Sequence, residues 1–270
     1  MATRRQRAKQ RQPQPPEPVA DYEHIGVVLR LRPLLRWERR EGFREAVSKY
    51  ADAALQVDGP QPKLCRCDKA FDGDTGQREF FRDSGVVPLI DSSFEGFRST
   101  AFAYGQTGAG KSYSFVGYGV NKGILPIVST EIFSKVRAEQ SDNHVFQIGC
   151  SYMEIYGREL RDLLAPSSKE RPGAKLRIRN GKQGTYVQGV RRMAVASYAE
   201  IEKVQEVGNS NRTVGATLMN ATSSRAHTIV TISLTQLMKE DGISPISPRY
   251  ISLTSLYLAH AAHEGGRCVP

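Results

Sequence analysis

Apolar residues recur along this chain with two different periods. Ile25–Leu31 reads as an apolar strand that ends in Arg32-Pro33. Gln77–Phe94 carries Phe80, Phe81, Val87 and Ile90 at a roughly helical spacing. Thr100–Tyr104 is a short strand-like run, and Leu125–Val136 predicts a helix with Pro126 in its first turn, where the missing N–H is tolerated. Val145–Ile155 predicts a long strand, Tyr198–Val207 a helix, and Thr228–Leu234 (Thr-Ile-Val-Thr-Ile-Ser-Leu) a β-branched strand. Strands alternating with helices predict an α/β layered domain.

The strand at Thr100–Tyr104 runs straight into Gly105, Gln106, Thr107, Gly108, Ala109, Gly110, Lys111 and Ser112, which spell G-x-x-x-x-G-K-S. Glycines let a backbone wrap round a polyphosphate so that several N–H groups face its oxygens. Lys111 is then placed to reach the β- and γ-phosphates, and the Ser112 hydroxyl to ligate Mg²⁺. A helix opening at Lys111 would turn its positive end towards the same oxygens. The plain alternative is a glycine-rich turn with an incidental lysine, and the strand in front of the loop argues against it.

Composition and charge change this picture little. Hydrophobic content of 39% and charged content of 24% over 270 residues suit a folded domain. No apolar run approaches the roughly 18 residues of a membrane span, and no secretory signal is expected at the N-terminus. Cys65, Cys67, Cys150 and Cys268 are too scattered for a disulfide framework, and a lone C-x-C without a second pair argues against a zinc site. The net charge of +10 has a local origin. Residues 1–21 hold Arg4, Arg5, Arg7, Lys9 and Arg11 among glutamines and prolines, and are expected to be a disordered, solvated arm with no nucleic-acid partner. Residues 165–192 are also basic; Leu176, Ile178, Tyr186 and Val187 with a turn at Gly181–Gly184 predict a hairpin that could dock on an acidic surface or stay solvated. Asp241–Pro248 reads as a linker.

A second cluster of chemical groups lies at Asn220–His227 (Asn-Ala-Thr-Ser-Ser-Arg-Ala-His). Ser223 and Ser224 are hydroxyls able to contact a γ-phosphate or its metal water, and Arg225 is able to latch a mobile loop. Taken alone, the segment reads as an ordinary loop.

Order and spacing produce a family resemblance. Ala103–Ser112, Ser151–Leu164 (Ser-Tyr-Met-Glu-Ile-Tyr-Gly-Arg-Glu-Leu-Arg-Asp-Leu-Leu) and Gly208–His227 closely resemble the kinesin motor domain. Arg30-Leu-Arg-Pro33 looks like that family's R-x-R-P motif, and Phe71-Asp72 followed by Gln77 resembles the segment leading into its first major helix. Gly117-Tyr-Gly119 with Lys122-Gly-Ile124 looks most like the kinesin-3 branch. The resemblance covers about residues 22–238. It implies a P-loop NTPase fold with a central mixed sheet flanked by helices on both faces, and an ATP- and Mg²⁺-dependent motor on microtubules, in the cytoplasm on the cytoskeleton. By the same resemblance, Gly105–Ser112 hold the phosphates and Mg²⁺, while Arg30, Arg32, Pro33 and Tyr113 border the base. Ser223 and Ser224 sense the γ-phosphate, with Ser224 also near Mg²⁺, Arg225 belongs to the same switch, and 165–192 falls at a tubulin-contacting loop.

One departure is mild: Ala226 stands where the family usually has serine. The other is severe. The family needs a second switch, an apolar strand ending in D-x-x-G-x-E, and the best alignment of Tyr250–Ala259 puts Ser255 at the Asp and Leu258 at the Gly. Residues 239–270 are therefore expected to be an irregular, non-family segment, the central strand to be missing, and the fold to be incomplete at its C-terminal end. Three readings follow: a kinesin-type microtubule motor ATPase, a non-enzymatic nucleotide-binding fragment with weak tubulin contact through the basic hairpin, and a P-loop enzyme outside the motors such as a small kinase.

Overall fold

The computed structural model describes residues 25–165, 176–181, 184–219, 226–238 and 247–258, with 213–219 and 247–258 described through the backbone. The tail expected over 1–21 lies outside them.

The chain begins with β1 (Val28–Arg30) and the single turn α1 (Arg36–Arg40). A small antiparallel sheet follows, made of β2 (Val47–Ala51), β3 (Ala54–Val57) and β4 (Lys63–Arg66), before β5 (Lys69–Phe71) returns to pair in parallel with β1. Next come α2 (Gln77–Asp83), α3 (Val86–Glu95), β6 (Ala101–Ala103) and α4 (Lys111–Phe115). The hairpin β7 (Gly117–Tyr118) and β8 (Asn121–Lys122) leads into α5 (Ile124–Glu139), and β9 (His144–Tyr156) turns into β10 (Glu159–Asp162). A second hairpin, β11 (Arg177–Gly181) and β12 (Gly184–Gln188), and the short β13 (Met193–Ala194) precede α6 (Tyr198–Met219), β14 (Ala226–Met238) and β15 (Ser247–Leu258).

The main sheet runs β10-β9-β14-β15-β6, with β13 on the free side of β9. β9 is buried at every position from Ile148 to Glu154, so both its faces are covered. One row of core side chains comes from α5 (Leu125, Val128, Ile132) and α6 (Ile201), another from the sheet (Cys150, Leu234), and all are almost fully enclosed. Burial in that apolar layer pushes the Cys150 thiol up to about 12, which suits a packing residue and not a nucleophile.

Two expected elements take a different form. The helical spacing of Gln77–Phe94 spans two helices, because Gly85 adopts a left-handed φ of 79° that an uninterrupted helix cannot contain. The helix expected at Lys111 is five residues long.

The larger correction concerns residues 239–270. Where an irregular segment and a missing central strand were expected, β15 pairs antiparallel with β14 and parallel with β6, placing Leu256, Tyr257 and Leu258 opposite Ala101, Phe102 and Ala103. Ser255 therefore lies inside a strand and not at its end. The reason is local: Tyr250, Ile251, Leu253, Thr254, Leu256 and Tyr257 are strand formers, and two open strand edges were available to satisfy their backbone groups.

Helix α6 crosses the sheet at a close approach. Gly208 sits against the ring of Tyr152, and a Cβ there would overlap it. The Tyr152 ring is 4% exposed and its hydroxyl donates to Asn209 Oδ1 at 2.9 Å, so it has little room to retreat. Gly208→Ala is expected to destabilise the fold by about 1–3 kcal/mol despite the better helix propensity of alanine, read as a lower urea midpoint.

Candidate functional site

β6 ends at Ala103 and the chain arches at once. Gly105, Gly108 and Gly110 have φ of 156°, 82° and 92°, values that side chains rarely permit. The Ala109 N–H donates to Gln106 O at 3.1 Å and closes the arch, and Gly110 caps α4, accepting from the Ser114 N–H at 2.9 Å. Lys111 is only 8% exposed; its Nζ donates to Gly105 O at 2.5 Å and Gln106 O at 2.7 Å, so the ammonium is held by the loop's own carbonyls. Burial lowers its pKa below the ordinary lysine value. Ser112 is exposed at the start of α4, and Gln106, Thr107 and Gly108 are exposed at the crown. The arch suits a polyphosphate: glycine torsions shape it, and a phosphate oxygen is a stronger acceptor for Lys111 than either carbonyl.

The residues expected at the base are tied together beside this loop. Arg30, half-buried at the end of β1, donates from Nη1 to Gln77 Oε1 at 2.7 Å and Ser114 Oγ at 3.1 Å, and from Nη2 to Thr75 O at 2.9 Å. Its guanidinium carbon lies 4.3 Å from the Phe80 ring centroid and 5.2 Å from that of Tyr113. Desolvation lowers the Arg30 pKa, with the nearby Tyr113 opposing it. Arg32 is held away from free movement by Glu38, at 2.8 and 2.7 Å, while its aliphatic stem passes about 3.8 Å from where a Cβ on Gly110 would lie. Pro33 packs on Gly73, whose added Cβ would meet Pro33 Cβ at 3.0 Å. Arg30 and Tyr113 thus meet directly, whereas Arg32 reaches the loop through its stem beside Gly110 and Pro33 packs on Gly73.

Ser223, Ser224 and Arg225 lie outside the described residues. What is described is their mounting. The buried Glu154 on β9 pairs with Arg212 Nε at 3.0 Å and Arg161 Nη1 at 3.7 Å, and Asn211 Nδ2 donates to Leu163 O at 2.7 Å. The Asn211 and Arg212 bonds tie α6 to Leu163 and to β9, eight or more residues ahead of Asn220. The sequence marks Gln77 only as part of the segment leading into the first major helix, and it does not single out Ser114 or this Glu154–Arg212 pair; the signal for the pair is that Glu154 interrupts an apolar strand.

A family model described as Kinesin motor domain matches residues 30–259, a span that takes in β15. Kinesin-related protein 1 of Dictyostelium discoideum is 39% identical over 195 residues, covering 70% of this chain and 9% of that protein. Kinesin-like protein Klp68D of Drosophila melanogaster is 37% identical over 237 residues, covering 84% of this chain and 29% of that protein. The chain therefore spans less than a third of the length of these curated relatives. A solved structure of a fast kinesin shares the fold with a TM-score of 0.78 at 33% identity, over 91% of this chain and 68% of that one. With most of its length matched to one family and its fold shared with a solved member, the chain belongs to the kinesin motor domain family.

Proposed function

We propose that this chain binds ATP with Mg²⁺ at Gly105–Ser112 and docks on microtubules as a cytoskeletal motor module of the cytoplasm, with a weakened hydrolytic step. The observation that carries the reading is the glycine arch closed on Lys111, with Tyr113 and Arg30 set beside it as a base platform. The fast kinesin that shares this fold, described for its ATPase mechanism and interactions with microtubules, supports it. Lys111 would hold the β- and γ-phosphates and Ser112 the Mg²⁺, which would neutralise charge on the transferred group. Ser223 and Ser224 would sense the γ-phosphate, Ser224 near the metal, and Arg225 would latch that segment. The branch is read as kinesin-3-like from Gly117–Ile124.

Weak turnover follows from the sequence beyond Leu258, which runs Ala259-His260-Ala261-Ala262-His263-Glu264 and supplies no D-x-x-G-x-E. β15 is the strand we read as the carrier of the second switch, and the carboxylates that would orient water and answer Arg225 are not encoded there. This favours, as the second reading, a non-enzymatic nucleotide-binding fragment with weak tubulin contact.

A fluorescent ATP analogue is expected to bind the purified chain, and Lys111→Ala to weaken that binding by more than about tenfold in a fluorescence titration, since one charge-assisted contact of this kind is worth roughly 1.5–3 kcal/mol. Phosphate release should stay close to its basal rate when microtubules are added; strong stimulation would refute the weakened step. The β11–β12 hairpin carries Arg177 and Arg179 on an exposed ribbon. Reversing both to Glu should reduce co-sedimentation with microtubules several-fold at low salt, and the difference should shrink as salt is raised.

A further inference from the structure

Gln77, the first residue of α2, is polar and only 7% exposed. Its carboxamide joins three segments that are distant in sequence. Oε1 accepts from Arg30 Nη1 at 2.7 Å, while Nε2 donates to Tyr113 O at 2.5 Å and lies 3.4 Å from Asn121 O. The orientation of the amide is fixed by its partners: arginine can only donate and a carbonyl can only accept, so oxygen must face Arg30 and nitrogen must face the two carbonyls. No other side chain of this size offers one acceptor and two donors in that arrangement.

The consequence falls on Tyr113. This residue follows Lys111 and Ser112 in a helix of one turn, too short to hold its own geometry. Its carbonyl is pinned by Gln77, and its ring lies beside the Arg30 guanidinium that the same Gln77 orients, with Tyr118 at 6.3 Å on a tilted plane. We propose that Gln77 is a positioning residue for the nucleobase: through the Tyr113 carbonyl and Arg30 it sets the aromatic face on which the base stacks, without touching the phosphates. This rests on the ATP-binding reading above.

The test compares ATP with inorganic tripolyphosphate, which presents phosphates and no base, in competition titrations against a fluorescent ATP analogue. Gln77→Met, close in shape but lacking donor and acceptor, should weaken ATP about tenfold and tripolyphosphate less than twofold. Gln77→Glu keeps the acceptor towards Arg30 but turns an oxygen towards the Tyr113 carbonyl; it should also weaken ATP selectively, and it serves as the second variant if the first unfolds. In a Tyr113→Ala background, Gln77→Met should cost ATP affinity little further. Equal losses for both ligands, no loss of ATP affinity, the same loss with and without Tyr113, or failure of both variants to fold by circular dichroism would each overturn the positioning role. Failure of the folded unsubstituted chain to bind ATP would instead overturn the ATP-binding reading, and with it this one.

Discussion

The phosphate loop depends on a short ladder of backbone hydrogen bonds. β6 is three residues long, and among the described residues its partner is β15, with Leu256, Tyr257 and Leu258 opposite Ala101, Phe102 and Ala103. β15 in turn lies along β14, which lies along β9. The loop after Ala103 is thereby fixed to the enclosed part of the sheet through one strand. Without that strand, β6 would be an unpaired edge of three residues, and the glycine arch would lack a fixed base.

The second support comes from side chains. A five-residue helix has too few internal hydrogen bonds to persist alone, so α4 is held by what surrounds it. Phe115 is buried in the core at 4% exposure, Ser114 accepts from Arg30, and the Tyr113 carbonyl accepts from Gln77. The same Arg30 reaches the turn at Thr75, which an Asp72 side chain closes by accepting from Thr75 Oγ1 at 2.9 Å. Sheet, turn and helix thus converge on the residues just beyond the phosphate loop. The geometry there is set from both sides, by the β15 ladder and by the Arg30–Gln77 pair.

Much of this was visible before the fold was known. Thr228–Leu234 stands out because β-branched residues run along a strand covered on two sides, and Val145–Ile155 because apolar residues dominate it with few charges. The phosphate loop stands out because its function constrains contiguous residues. Gly85 carried a break that periodicity alone passed over: Phe80, Phe81, Val87 and Ile90 keep a helical rhythm across two helices. β15 was missed because its identity was judged by an absent switch motif and not by the strand-forming residues of Tyr250–Leu258. Gln77 was seen only as a family marker, since a polar residue at the start of a helix usually faces water, and its partners lie 47 and 36 residues away.

Local chemistry therefore wrote the elements, the glycine arch, the lysine at its end and the family into the order of residues, because each depends on neighbours a few positions apart. The fold decided what depends on distant partners: that Lys111 rests on loop carbonyls, that Arg30 is clamped by Gln77 beside Tyr113, and that residues 247–258 complete the sheet. An unpaired strand edge accepts any backbone that can satisfy it, and only the assembled sheet reveals which edge is open.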